Sequence, residues 1–228
     1  MLSGRTITGV RIVDASAVSP LKPAGFSRKL KGREITAVGR RGKYLRIELA
    51  KGGTLVIHLR MTGQLIHLSA RPASDPHLRL FFTFDDGSFL AFFDQRRFGR
   101  AFVLAPDEGD YWNKLGPEPL ERAFTAARLA AALNGSRAPI KSLLMNQSHV
   151  AGIGNIYADE ALFMAGIHPQ RPAGSLSAAE TGRLVKAIKS ILRQAISLNG
   201  TSISTYRDAG GRAGRYQDSF RVHHRQGE

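Results

Sequence analysis

From His149 to Pro169 the chain reads HVAGIGNIYADEALFMAGIHP, and the residues that invite chemistry are the first glycines of that run. Gly152-Ile153-Gly154-Asn155 leads into a helix while giving its first turn little intrinsic support, so the first backbone N–H groups are left bare. A helix N-terminus of this kind carries a partial positive charge, and glycine lets another molecule's backbone come close. The chemistry on offer is anion binding. A dinucleotide fingerprint is excluded, because Tyr157 stands where the third glycine would be and the preceding segment has helical periodicity. A glycine-rich corner between two packed helices would read the same way, so the turn needs support from the rest of the chain.

Charge narrows the choice of anion. The 228 residues include 33 Lys plus Arg against 18 Asp plus Glu, a formal net charge of +15, and such an excess suits a polyanion. At 43% hydrophobic with 12 Phe the chain can bury a real core, which separates it from basic disordered tails. Nucleic acid leads over an anionic membrane surface, since no run of 18 or more apolar residues could span a bilayer. The start MLSGRTITGV has no continuous apolar core of a secretory signal. Without cysteine there is neither a disulfide framework nor a thiolate metal site, which fits a cytoplasmic setting.

Two kinds of element must position these residues. From Thr6 to about Leu104 the patterns have period two: in KYLRIELA, Leu45, Ile47 and Leu49 alternate with Tyr44, Arg46 and Glu48. Gly52-Gly53 turns the chain into TLVIHL, and Asp86-Gly87 marks a hairpin inside LRLFFTFDDGSFLAFF. Phe81, Phe82, Phe84, Phe89, Phe92, Phe93, Phe98 and Phe102 place the main β core here. Residues 105–121, with three prolines and five acids, read as a linker. The period then becomes 3.6, with helices over residues 125–133 and 139–147 and a long one after the capping box of Ser177 and Glu180, ending at Asn199-Gly200. Lys186, Lys189 and Arg193 on its other faces read as solvated charges. The expected fold is α+β: an antiparallel β-sandwich over residues 1–104, the linker, a helical domain over 122–200, and a polar, glycine-rich loop after Gly200 that is mobile until something binds.

The helix, turn and helix around AGIGNIY resemble the helix–two-turn–helix motif of the formamidopyrimidine-DNA glycosylase and endonuclease VIII family of base-excision repair enzymes. Three further stretches resemble the same family in the same order: RRGKYL (40–45), HLRMTGQL (58–65) and DQRRFG (94–99), with LGPEPL and AGIHP in register. The resemblance covers nearly the whole chain and implies roles. Lys43 would contact phosphates around the damaged nucleoside and serve the lyase steps. Met61 would fill the gap left by an everted base, Arg96 would pair with the orphaned opposite base, and Phe98 would wedge into the stack. Asn155, with Tyr157 in the same GNIY run, would hold phosphates flanking the lesion. Thr205 and Tyr206 lie in the loop that 8-oxoguanine-type members close over the everted base.

These are the residue types that base eversion needs, an apolar wedge plus a polar group for the orphan base. His58, near a strand end, could reach a phosphate or sit satisfied in the core. Arg137 and Lys141, ahead of the glycine turn, would extend a phosphate-facing surface or simply line a solvated helix face.

The family's nucleophile is an N-terminal proline followed by glutamate, whereas this chain begins Met1-Leu2-Ser3-Gly4. It ends RVHHRQGE, where the family continues into a four-cysteine zinc finger with another phosphate-binding arginine. The expectation is a chain clipped at both ends. It would come from a bifunctional glycosylase and AP lyase that removes 8-oxoguanine and formamidopyrimidines, and would be inactive as it stands. No cofactor is expected within it, and zinc only in the full-length parent. The expected partner is double-stranded DNA with oxidised bases or abasic sites, bound by a cytoplasmic, nucleoid-associated monomer with no membrane contact. The alternatives are an endonuclease VIII-type glycosylase for oxidised pyrimidines and a non-catalytic DNA-binding protein using the same turn.

Overall fold

The computed structural model describes residues 2–18, 20–203, 206–225 and 227. Thr205, assigned above to a lesion loop, lies outside the described residues. The chain forms two compact units, Met1–Tyr111 with Ser202–Gly214, and Trp112–Thr201 with Arg215–Glu228. The expected linker therefore divides at Tyr111, and the tail read as one segment after Gly200 is shared between the units.

The first unit is a sandwich of two four-stranded antiparallel sheets. Its elements are β1 (Ile7–Ile12), helix α1 (Pro23–Leu30), β2 (Ile35–Arg41), β3 (Tyr44–Leu49), β4 (Thr54–His58), β5 (Gly63–Leu68), β6 (Leu78–Phe84), β7 (Phe89–Asp94) and β8 (Arg100–Leu104). The sheet orders are β1-β6-β7-β5 and β2-β3-β4-β8. Ile47, Leu49, Leu55, Ile57, Leu80, Phe82 and Phe92 meet in the core between them, each full burial stabilising by about 1.5–3 kcal/mol. Helix α1 interrupts the period-two region, and its reason is local: Pro23 at the first helical position presets the backbone, and Phe26 and Leu30, four apart, enter the core together. Asp86-Gly87 lies at the β6–β7 connection, with Gly87 at φ +81° and the Asp86 carboxylate accepting from Ser88 N and Oγ.

The second unit is helical: α2 (Ala126–Leu133), α3 (Ile140–Met145), α4 (Asn155–Ala165) and α5 (Ala178–Ser197). Thr125 Oγ1 caps α2, and Ser177 and Glu180 form the expected box at α5. Helix α3 stops at Met145, two residues short of the expected end, because Asn146 and Gln147 turn their amides onto the backbone. Asn146 Oδ1 accepts from Ser148 N, and Gln147 Nε2 donates to Met145 O and Ile153 O while its Oε1 accepts from Gly152 N. Tyr216, from the tail, is buried in this core beside Leu184 and Ile188. No helix among the described residues is long and apolar enough to cross a membrane.

The loop expected to be mobile is hydrogen-bonded where it is described. The Asp208 carboxylate accepts from the N–H groups of Gly210 and Arg212 and pairs with the Arg212 guanidinium, and Ala209 O accepts from His67 N on β5. A local aspartate turn supplies partners that the glycine-rich composition does not reveal.

Candidate nucleic-acid interface

Strand register brings three turns to one end of the sheet β2-β3-β4-β8. Tyr44 pairs with His58 across β3 and β4, and His58 with Arg100 across β4 and β8. That end therefore carries the Gly42-Lys43 turn, the residues following His58, and the last residues of the β7–β8 loop. His58 is only 8% exposed; its Nδ1 accepts from Arg60 N, and the ring stands edge-on to Tyr44 at 4.7 Å. Burial first, then the charges of Arg60 and Lys43, push its pKa down to about 4. The ring is thus neutral at pH 7, with Nδ1 an acceptor and the proton on Nε2. Lys43 has its pKa lowered by burial and by the charge of Arg60. Burial likewise raises the Tyr111 phenol, whose ring lies 5.9 Å from that of Tyr44.

Two loops of this unit hold apolar side chains out into solvent. Met61 is 68% exposed on the β4–β5 loop and Phe98 is 49% exposed on the β7–β8 loop. Arg96 connects them, with Nη1 3.2 Å from Met61 Sδ and its guanidinium 5.0 Å from the centre of the Phe98 ring. A buried carboxylate staples the loops. Asp94, 1% exposed at the end of β7, accepts from Thr62 Oγ1, Arg96 N and Gly99 N. Gly63 and Gly99 are required by close approach, since a Cβ would stand 2.4 Å from Leu59 O at one and 2.4 Å from Phe92 Cζ at the other.

In the helical unit, the turn between α3 and α4 leads into a helix whose N-terminus has no side-chain cap. Gly154 stands at the N-cap, and its carbonyl accepts from Ala158 N. Asn155 stands exposed at the first helical position. The turn is seated on the segment before α2: Gly116 N donates to Gln147 O and Ala151 N donates to Pro117 O.

Residues 1–101 match the model of the formamidopyrimidine-DNA glycosylase N-terminal domain, and residues 115–207 that of the formamidopyrimidine-DNA glycosylase H2TH domain. The formamidopyrimidine-DNA glycosylase of Moorella thermoacetica is 45% identical, over 99% of this chain and 84% of that one. The chain belongs to the formamidopyrimidine-DNA glycosylase family. The Chloroflexus aggregans member is 44% identical over 100% of this chain and 83% of its own. Among solved structures, the MutM (Fpg) protein of Thermus thermophilus superposes with a TM-score of 0.87 at 39% identity, covering 99% of this chain and 82% of that one. The Lactococcus lactis Fpg in complex with a THF-DNA and an inhibitor gives 0.91 at 31%, covering 100% and 84%.

Placed on this formamidopyrimidine-DNA glycosylase fold, the residues singled out from sequence fall into groups. Lys43 and His58 share one sheet end, and Arg96 contacts both Met61 and Phe98. Asn155 and Arg137 are exposed in the helical unit. Lys141 is ion-paired, Nζ lying 2.8 Å from Asp159 Oδ1, rather than lying free on a helix face. Tyr157 is half-buried, its hydroxyl 3.2 Å from Thr201 Oγ1 and its ring 5.6 Å from Tyr216, so its position serves packing as well as any contact outward. Tyr206 is exposed, with its backbone carbonyl accepting from Ser202 Oγ.

Sequence reading passed over Asp94 and Thr62, although both lie within the quoted motifs. It also missed Glu160, fully buried on α4, whose carboxylate accepts from the N–H groups of Arg221, Val222 and His223. A four-cysteine zinc site does not fit these residues: the chain has no cysteine, and among the described residues no three His, Asp or Glu converge on a point.

Proposed function

We propose that this member acts on duplex DNA in the cytoplasm, binding as a monomer, everting oxidised purines such as 8-oxoguanine and formamidopyrimidines, and serving their excision with β,δ-elimination at the abasic site. The observation that carries this is the exposed cluster of Met61, Arg96 and Phe98, two apolar side chains and a guanidinium held on loops stapled by Asp94. Apolar atoms kept out of a core lose about 1.5–3 kcal/mol per large side chain, and a base-stack gap is a place where that is recovered. Arg96 supplies the donors for the orphan base. Lys43, Asn155, Arg137 and Lys141 hold phosphates, His58 offers its Nε2–H to one, Tyr157 supports the α4 entry, and Thr205 and Tyr206 belong to the loop over the everted base. That the solved Lactococcus lactis relatives are complexes with Fapy-dG DNA and with abasic-site DNA supports the reading.

Lesion class is tested by binding and incision on matched duplexes. From the 228-residue chain tighter binding of 8-oxoguanine than of oxidised-pyrimidine duplex is expected, and from a version extended upstream to a Pro-Glu terminus faster incision as well; the reverse order moves the protein to the endonuclease VIII branch. Equal affinity for damaged, abasic and intact duplex would leave a plain DNA-binding module. Borohydride trapping on abasic duplex reads the imine chemistry. Imine formation needs an unprotonated amine at the sugar carbon, so trapping by the 228-residue chain reads whether one of its own amines serves. Efficient trapping would make Lys43 the first candidate for the nucleophile.

Charge assignments separate in salt titrations. Lys43→Ala weakens binding to every duplex and reduces the slope of log K against log salt by about 0.9, the loss of one phosphate neutralised. His58→Asn leaves the slope unchanged at pH 7, because a neutral ring releases no counterion.

A further inference from the structure

The β7–β8 loop is tied to the sandwich by a ring of contacts that the roles above do not use. Arg79, on β6 and 4% exposed, is its hub. Its Nε donates to Asp94 O at 2.8 Å, its Nη2 donates to Pro76 O, and its own carbonyl accepts from the N–H groups of Val13 and Asp14. Arg79 Nη1 faces Asp14 Oδ2 at 3.5 Å, and Arg97 Nε approaches the same oxygen at 3.8 Å from the loop. Asp14 Oδ1 accepts from Ser16 N and Oγ, whereas the buried Oδ2 makes no hydrogen bond and lies between the two guanidiniums. Arg97 holds a left-handed backbone, φ +60°, which costs a non-glycine residue about 1 kcal/mol and persists only where surroundings impose it. Arg96 reaches Met61 and lies against the Phe98 ring, while Arg97, between them in sequence, reaches back to Asp14.

We infer that Asp14 is a positioning residue that, through Arg79 and Arg97, sets the β7–β8 loop in the conformation from which Arg96 and Phe98 enter the base stack. This rests on the wedge role proposed for Phe98. Asp14 holds Arg97 down by charge and holds Asp94, the foot of the loop, through Arg79. The buried Arg79 keeps its counter-ion only while Asp14 is ionised. Burial pushes the Asp14 carboxyl up, and the Ser16 hydrogen bonds together with the charges of Arg97 and Arg79 overcome this, leaving its pKa below the usual value.

The test uses the full chain and a duplex in which 2-aminopurine flanks a tetrahydrofuran abasic analogue, alongside the intact duplex. Asp14→Asn and Arg97→Gln are each expected to lower the ratio of abasic to intact affinity about fivefold and to reduce the 2-aminopurine signal of unstacking. In the double variant the loss should not exceed that of the larger single one, because both cut the same connection. Thermal unfolding checks that each variant is folded; should Asp14→Asn not fold, Arg97→Gln carries the test alone. A folded variant with unchanged ratio, or losses that add in the double variant, overturns the inference. Phe98→Ala separates the two levels. If it fails to lower the ratio, the wedge reading itself fails. If it lowers the ratio while both clamp variants do not, only the clamp fails.

Discussion

Gly116→Ala is expected to lower the thermal midpoint by roughly 6–12 °C, the effect of about 3 kcal/mol in a chain of this size, and to weaken binding to intact and abasic duplex alike. A Cβ at Gly116 would stand 2.5 Å from both C and O of His149 and 2.8 Å from Ser148 O, all backbone atoms of the turn between α3 and α4. No flexible side chain is available to yield. The turn must shift, and with it the Gly116 to Gln147 hydrogen bond and the entry into α4. Contacts to phosphate carry no sequence information, so the loss should be even across duplexes. Gly182→Ala is the matching control: its Cβ would meet nothing within 4 Å inside α5, and alanine is the better helix former by about 1 kcal/mol. Unchanged stability and affinity in Gly116→Ala would show that the seat under the turn is dispensable.

Acidification from pH 7 to pH 4 should cost the wild-type protein about 3 kcal/mol more stability than it costs His58→Asn. The sign follows from the pKa, which falls from 6.5 to about 4 on folding. Above pH 6.5 the ring is neutral in both states and proton uptake does not distinguish them. Between 6.5 and 4 the unfolded chain binds a proton that the folded chain refuses, so stability falls by about 1.4 kcal/mol per unit of pH. Below 4 both states are protonated and the loss levels off. Asparagine can accept from Arg60 N in place of Nδ1, which keeps the local turn. Denaturant midpoints of the two proteins across this range measure the difference, and parallel curves would mean that His58 titrates as an exposed histidine does.

Much of the scaffold was legible because it is written in local patterns. The alternation in KYLRIELA, the Asp86-Gly87 turn, the Ser177 and Glu180 box and the Asn199-Gly200 stop each involve residues a few positions apart, and each appears in the structure. The interface was legible only as separate motifs. That Arg96 reaches Met61 depends on pairing of strands whose register no single window reveals. Arg79, inside LRLFFTF, reads as the solvent-facing member of an alternating strand, yet it is buried because an aspartate 65 positions earlier and the carbonyls of Pro76 and Asp94 supply its partners. Glu160 reads as one more acid on a helix surface; its partners are amides more than 60 residues further on. Lys141 looked free because Asp159, its partner, lies on the next helix.

The polypeptide crosses between its two units three times, after Tyr111, after Thr201 and after Gly214. During synthesis the β-sandwich therefore emerges early but lacks the partner of His67 N until Ala209 has left the ribosome, and the helical core waits for Tyr216. Each unit gains its last contacts only when nearly the whole chain exists. A nick in residues 105–121 would leave both fragments bound through the strap of residues 202–214, and expressing residues 1–111 alone would leave the edge of β5 open to pairing with another chain at His67. Dissection of this protein into halves should accordingly yield aggregation-prone pieces, whereas co-expressed halves should find each other.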